Sequence, residues 1–271
     1  MVKIFIAIPT HDYTVHFHFM KSYTNLIQKL NTLNINYITT HISGSLINRS
    51  RNQLVSIFMA TDCTHILFID SDISNFENII VNLLNANKMV IGGIYPIKEY
   101  NWNKILTFDK KNKSVDEILT KTLLYNINIG SKRIINDNVY YRRNEQNISH
   151  NDIIEEAKMN NGIIEVMHLP GGCMLIKKEA IKIMMDKYPE RKYNSCNNEK
   201  TYKNSSDFLY NLFDSFIKKY STNKQYLSED YGFCELWITL GKKIYANINI
   251  PLNHSHGDTT YSGSYLNSLL P

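Results

Sequence analysis

The sequence predicts an α/β fold, with a central, mostly parallel sheet flanked by helices. Three observations predict it. Short apolar runs at residues 3–8, 35–41, 64–69 and 88–91 alternate with amphipathic stretches at 15–33, 46–60 and 76–87. The resulting β-α-β-α-β-α-β order over residues 1–93 is the pattern of parallel strands joined by helical crossovers. Pro9-Thr10, Asp70-Ser71-Asp72 and Gly92-Gly93 stop three of the apolar runs. Ligands in such sheets bind beyond the carboxyl ends of the strands, so these three stops predict a shared cleft.

Each element has a local reason. Lys3-Ile4-Phe5-Ile6-Ala7-Ile8 is apolar and closed by a proline. Phe19, Tyr23, Leu26, Ile27 and Leu30 recur at three-and-four spacing, which predicts the first helix. Gly44-Ser45 breaks the second strand, and Leu54, Ile57 and Phe58 give the second helix an apolar side. His65 to Ile69 is a continuous apolar run ending in two carboxylates, Asp70 and Asp72. Ser74 or Asn75 is the expected cap of the third helix, with Ile79, Ile80, Leu83 and Leu84 inward. Residues 99–150 are polar, rich in Asn and Lys, and read as an insertion of short strands and loops on the acceptor side.

Beyond the insertion, a short helix is expected over 153–160, a strand over 163–167 and a turn at Pro170-Gly171-Gly172. A buried strand over 173–176 and a helix over 178–188 follow. Residues 189–206 read as polar loop, and 208–220 carry helical spacing. Ser228 is the expected cap of a helix over 229–240 that Gly241 ends, and a late strand covers 243–249. With no repeat and no linker, the 271 residues read as one domain, 1–93 forming one half and 94–271, with its insertion, the other.

A formal charge of +5 and the lack of a long basic run with interleaved aromatics argue against nucleic acid as a partner. Cys63, Cys173, Cys196 and Cys234 form no C-x-x-C pair, so neither a zinc site nor a disulfide framework is expected. No signal peptide is evident and no apolar stretch reaches the roughly 18 residues of a membrane span. The expected location is therefore cytoplasmic, meaning host cytoplasm or virion if the chain is viral.

Alternation along a strand puts residues two apart on one side, so Asp70 and Asp72 are expected to face one ligand from the strand tip. Two hard oxygen donors there suit a divalent cation that also holds phosphate; a solvated turn is the plainer reading. Arg49, Arg51 and Asn52 fall in the early turns of a helix, where guanidinium forks bind phosphate or hold the carboxylates, or are simply solvated helix charges. Gly171 and Gly172 either let a ligand approach the backbone or simply make a turn. Glu229 and Asp230 open a helix, as acidic first-turn residues or as a general base. His254 and His256 can each supply a nitrogen ligand to a metal site that a carboxylate begins. No G-x-G-x-x-G, P-loop or G-x-S-x-G motif occurs, which disfavours a dinucleotide fold, a P-loop enzyme and an α/β-hydrolase.

Taken in order, these patches resemble GT-A-type glycosyltransferases of the family-two-like kind found in bacteria and large DNA viruses. The carrying segments are Ala7-Ile8-Pro9-Thr10, Ser45 to Asn52, His65 to Asp72, Gly92-Gly93-Ile94-Tyr95-Pro96-Ile97-Lys98, Gly171 to Ile176, Ser228 to Cys234, and the His-Gly tail running to Tyr261-Ser262-Gly263. The resemblance implies a GT-A-type Rossmann-like sandwich, a nucleotide-sugar donor, usually a UDP-sugar, and Mn²⁺ or Mg²⁺. It implies that Asp72 binds the metal, and that Asp70 contacts the ribose or the metal through water, with Ser71 between them. Pro9 and Thr10 would line the nucleoside pocket, and Arg51 would steady the base or the carboxylates. Gly171 and Gly172 would border the donor sugar. Asp230, with Glu229, would be the base acting on a glycan, lipid or protein hydroxyl, and His254 or His256 would complete the metal shell. Family tails often read H-x-G where this chain has H-x-H-G, and Glu235 and Leu236 stand where a basic residue is common. A base at Asp230 suits single displacement with inversion. Two other readings share the pattern: a phosphohydrolase with an aspartyl nucleophile, and a non-catalytic nucleotide-sugar-binding protein.

Overall fold

A computed structural model describes residues 1–135, 138–143, 146–194, 205–218 and 224–270. Residues 1–93 run β1 (Lys3–Thr10), α1 (Phe17–Thr32), β2 (Asn36–Ser43), α2 (Ile47–Met59), β3 (His65–Ile69), β4 (Ile73–Ser74), α3 (Ile80–Asn85) and β5 (Val90–Gly93). The insertion holds α4 (Trp102–Thr107), α5 (Val115–Thr122) and an antiparallel meander of β6 (Ser131–Ile135), β7 (Asn138–Arg143) and β8 (Gln146–Ser149). Then come α6 (His150–Met159), β9 (Ile163–Val166), β10 (Cys173–Lys177) and α7 (Lys178–Lys187). The chain closes with β11 (Phe216–Ile217), β12 (Tyr226–Leu227), α8 (Glu229–Thr239), β13 (Ile244–Asn247), β14 (Leu252–His256), β15 (Thr259–Gly263) and α9 (Tyr265–Leu269).

The main sheet has seven strands in the order β2-β1-β3-β10-β5-β13-β9. Five of them point the same way, and β10 and β9 run against them. The expected mostly parallel α/β sandwich is therefore the architecture of this chain. Alternation divides its core cleanly. Phe5, Ala7, Ile66, Phe68, Met174 and Ile176 face α2, α7 and α8 on one side. Ile4, Ile6, Leu67, Ile69, Cys173 and Leu175 face α1 and α3 on the other. Both faces are buried, which is why the strands read as continuous apolar runs.

Several expectations are corrected. The insertion contains two helices as well as strands. The third helix opens as a 3₁₀ turn at Phe76–Asn78, preceded by Asn75 at φ 65° with no side-chain cap to the backbone. Ser74 belongs to β4 instead. Ser228 holds the N-cap position of α8 as expected, but its hydroxyl turns to the Asp230 carboxylate and not to a backbone N–H. Gly92 and Gly93 lie inside β5, where an added Cβ would meet the Cys173 carbonyl at 2.6 Å and Leu252 at 2.5 Å, so they serve close packing rather than the cleft.

The described part of residues 208–220 is not helical. A 3₁₀ turn at Ser206–Phe208 leads into irregular chain and then β11, while 219 and 220 lie outside the described residues, as do Cys196 and most of the expected polar loop. The cause is a distant side chain. The Asn52 Oδ1 accepts from Leu212 N (3.0 Å) and Phe213 N (2.9 Å), and its Nδ2 donates to the Phe213 carbonyl (2.9 Å). With its backbone groups satisfied this way, the segment lays the neighbouring Leu212 and Phe213 side by side into the core.

Candidate functional site

The carboxyl ends of β1 and β3 meet the start of the antiparallel strand β10 at one edge. Register pairs Cys173 with Ile69, so Gly172 arrives beside Asp70, whose N–H donates to the Gly172 carbonyl in strand-like fashion (3.1 Å). Asp70 ends the strand. Asp72 does not continue it, because the Ile73 N–H bonds back to the Asp70 carbonyl (3.1 Å) and closes a turn. Strand alternation thus does not govern Asp72, and the two carboxylates take different partners.

Asp70 belongs to Arg51. The Arg51 Nη2 reaches its two oxygens at 2.9 and 3.2 Å, Nε donates to Glu229 at 3.2 Å, and Nη1 to the Gly171 carbonyl at 3.3 Å. The guanidinium is buried and lies over the Phe68 ring, 5.3 Å from its centroid. Burial works against its charge, but the carboxylates of Asp70, Glu229 and Asp230 outweigh it and raise its pKa. Burial also raises the Asp70 and Glu229 carboxyls, against the pull of Arg51. Of the sequence readings of Arg51, the structure displays carboxylate holding. The exposed Arg49 lies two residues before it on α2, and Asn52 anchors the 212–213 chain.

The glycine turn is filled from within. A Cβ on Gly171 would strike the Arg51 guanidinium at 2.6 Å, and one on Gly172 would strike the Tyr95 hydroxyl at 2.5 Å and approach Asp70 at 3.1 Å. The Tyr95 hydroxyl accepts from Gly172 N (3.0 Å). The two glycines are therefore required by Arg51 and Tyr95, whatever approaches from outside.

Asp230, in the first turn of α8, points at the same turn. Its Oδ2 accepts from Gly171 N (3.0 Å), and its Oδ1 accepts from the Ser228 hydroxyl and from Tyr231 N (2.8 Å). Asp70 and Asp230 thus flank one glycine pair, close enough for the Asp230 charge to help raise Asp70.

Asp72 belongs to Lys98 and the C-terminal hairpin. Lys98 Nζ ion-pairs with its Oδ2, and His254 Nε2 lies 3.6 Å from the same oxygen. Burial would raise this carboxyl, yet the His254 and Lys98 contacts prevail and lower it to about 2. The β14–β4 pairing sets His254 opposite Ile73, which brings the imidazole to the acidic turn. His254 Nδ1 is 2.8 Å from the Pro96 carbonyl and donates to it, so Nε2 is the nitrogen turned to Asp72. His256 is exposed farther along the hairpin. Thr10, at the end of β1, is buried with its hydroxyl unpartnered among the described residues, and Pro9 beside it is buried too.

Among the described residues no three His, Cys, Asp or Glu side chains gather as a metal cage. Asp72 and His254 nonetheless make an oxygen-and-nitrogen pair of suitable chemistry. The carbonyl behind the ring orients it as outer-shell partners orient metal-binding histidines. Mg²⁺-like ions use one or two carboxylates and complete their shell with water and substrate phosphate. Sequence reasoning quoted Lys98 and Tyr95 without giving either a role; their signal was position, immediately after the β5 strand end.

A mixed α/β architecture with an acidic edge built around a glycine pair is the class that fold and site define. No protein-family model matches the chain, and no curated protein matches its sequence. Among solved structures, the crystal structure of A197 from STIV aligns with 95% of this chain and 87% of its own, at a TM-score of 0.43 and 14% identity. That likeness is too slight to carry an argument. No helix among the described residues is long and apolar enough to cross a membrane.

Proposed function

We propose that this protein is a glycosyltransferase that moves a sugar from a nucleotide-sugar donor, a UDP-sugar, to a hydroxyl acceptor. The observation that carries the reading is the meeting of the acidic turn and Asp230 at one glycine pair: Asp70 N bonds Gly172 O at 3.1 Å, and Asp230 accepts from Gly171 N at 3.0 Å. A leaving group and an attacking hydroxyl must reach opposite faces of one anomeric carbon, so their protein partners must share one edge.

In this reading Pro9 and Thr10 border the nucleoside, and the orphaned Thr10 hydroxyl is a ready partner for it. Asp72 and His254 would hold Mn²⁺ or Mg²⁺, which neutralises charge growing on the departing diphosphate. Arg51 keeps Asp70 and Glu229 in place from beneath. Asp230 accepts the acceptor's proton while the freed oxygen forms a bond to the anomeric carbon. The bond from that carbon to the diphosphate oxygen breaks in the same displacement, and the configuration inverts. Gly171 N, Tyr231 N and Ser228 hold the Asp230 carboxylate in a fixed orientation.

The test is a panel of nucleotide sugars, each with and without Mn²⁺, read by thermal stabilisation and donor hydrolysis. A UDP-sugar is expected to stabilise the protein in a metal-dependent way, and Asp72→Ala to abolish the response. Absence of any metal-dependent response to the whole panel refutes the donor assignment.

A further inference from the structure

A pocket of about 300 Å³ opens between the insertion and the C-terminal hairpin. Its walls combine Tyr100, Tyr261, Asp116, Thr120 and Ser262 with two leucines, Leu119 and Leu123. It adjoins the acidic turn at two points. Tyr261 pairs across the hairpin with His254, the residue facing Asp72. Tyr100 lies two residues beyond Lys98, which ion-pairs with Asp72. On a third side, a Cβ on Gly263 would meet the Tyr125 hydroxyl, and the following residue, Asn126, accepts from Tyr231 beside Asp230.

The wall is aromatic and continues outward. Tyr100 contacts Tyr261 with ring centroids 4.8 Å apart, and Trp102 contacts Tyr100 at 5.7 Å. Trp102 is 63% exposed, although tryptophan is usually well buried. Three rings thus lead from the surface to the pocket. The volume is at the low end of the ~300–1,000 Å³ typical of small-molecule sites, which suits one ring of a ligand rather than a folded chain. Flat aromatic faces match the C–H face of a pyranose, and the nearby carboxylate and hydroxyls match its rim of OH groups. Leu119 and Leu123 are the apolar part of the wall, but a lipid chain would also meet the Asp116 carboxylate and the Thr120 and Ser262 hydroxyls.

We propose that this pocket binds a pyranose ring of a carbohydrate acceptor, with Tyr100 and Tyr261 as its platform and Trp102 as the outer step for the next sugar. The proposal rests on the transferase reading and narrows its acceptor to a glycan. The pocket itself is built by residues of the 99–150 insertion and by the hairpin.

The probe is a set of methyl glycosides (glucose, galactose, mannose and N-acetylglucosamine), observed by saturation-transfer NMR on the full chain with UDP and Mn²⁺ present. Saturation of the ring C–H protons is expected for at least one glycoside and not for sorbitol, which has the hydroxyls without the ring. Tyr100→Ala and Tyr261→Ala should each weaken binding at least about fivefold, while Tyr100→Phe retains it. Thermal unfolding of each variant, and its stabilisation by UDP with Mn²⁺, report folding and the donor site separately. The proposal is overturned if no glycoside binds, or if binding survives both alanine changes together. It is overturned equally if a UDP-sugar displaces the glycoside where UDP does not, since the pocket is then the donor's, or if a serine peptide or a long-chain alcohol binds there instead. Loss of the UDP response with glycoside binding intact would defeat the transferase reading and leave the sugar pocket standing.

Discussion

Arg51 and Lys98 neutralise carboxylates on the same edge of the sheet, in opposite surroundings. The Arg51 side chain is 3% exposed, lies on Phe68 and reaches three acceptor residues at once. The Lys98 side chain is 33% exposed and has Asp72 as its ion-pair partner, on a turn that also faces His254. A buried, forked, permanently charged guanidinium is held by its geometry. A flexible ammonium at the rim can swing away when another cation arrives. The difference separates a part that builds the edge, made of Arg51, Asp70, Glu229 and the glycine pair, from a part open to exchange, made of Asp72, Lys98 and His254.

The largest expected effect breaks the buried side. Arg51→Met keeps the bulk of the side chain and strands Asp70 and Glu229 without their cation. Leaving one member of a buried ion network unpaired costs about 3–5 kcal/mol, so denaturant unfolding should report a loss of that size. A loss under about 1 kcal/mol would mean that Arg51 is no structural buckle and that the proposed division is wrong. Asn52→Ala comes next. It removes the acceptor for Leu212 N and Phe213 N and the donor to the Phe213 carbonyl. Buried backbone groups left unpaired predict a loss of about 2–4 kcal/mol, with UDP stabilisation retained in the folded variant. Loss of UDP stabilisation at unchanged stability would put Asn52 on the ligand instead.

That arrangement was partly legible in the sequence. The apolar runs of β1, β3 and β10 marked the sheet, because strands buried on both faces leave continuous hydrophobic stretches, and the carboxylates beside them marked its acidic edge. Arg51 was legible as a partner for carboxylates or phosphate, but not as a buried one, since burial depends on Phe68 arriving from β3 and Gly171 from the turn before β10. Gly171 and Gly172 read as room for a ligand, while Arg51 and Tyr95 occupy the space beside them. The apolar residues at 208, 209, 212 and 213 mimic a helical stripe. What sets that segment's path is the amide of Asn52, far away in sequence, and no local pattern carries such information.

The smallest expected effect sharpens the exchangeable side. Lys98→Met removes the ammonium that competes for Asp72 and leaves His254 and the turn in place. Mn²⁺ binding in the absence of nucleotide should then tighten roughly three- to tenfold, because one half-exposed charge contributes on the order of 1 kcal/mol. UDP binding in the absence of metal should weaken by a similar factor, because Lys98 is then no longer there to meet a phosphate. Calorimetric titrations of the two ligands, run separately, check both signs. Opposite signs identify a cation that gives way to metal and turns to the diphosphate. If both affinities fall together, Lys98 instead orders the acidic turn, and its role is of the same kind as that of Arg51.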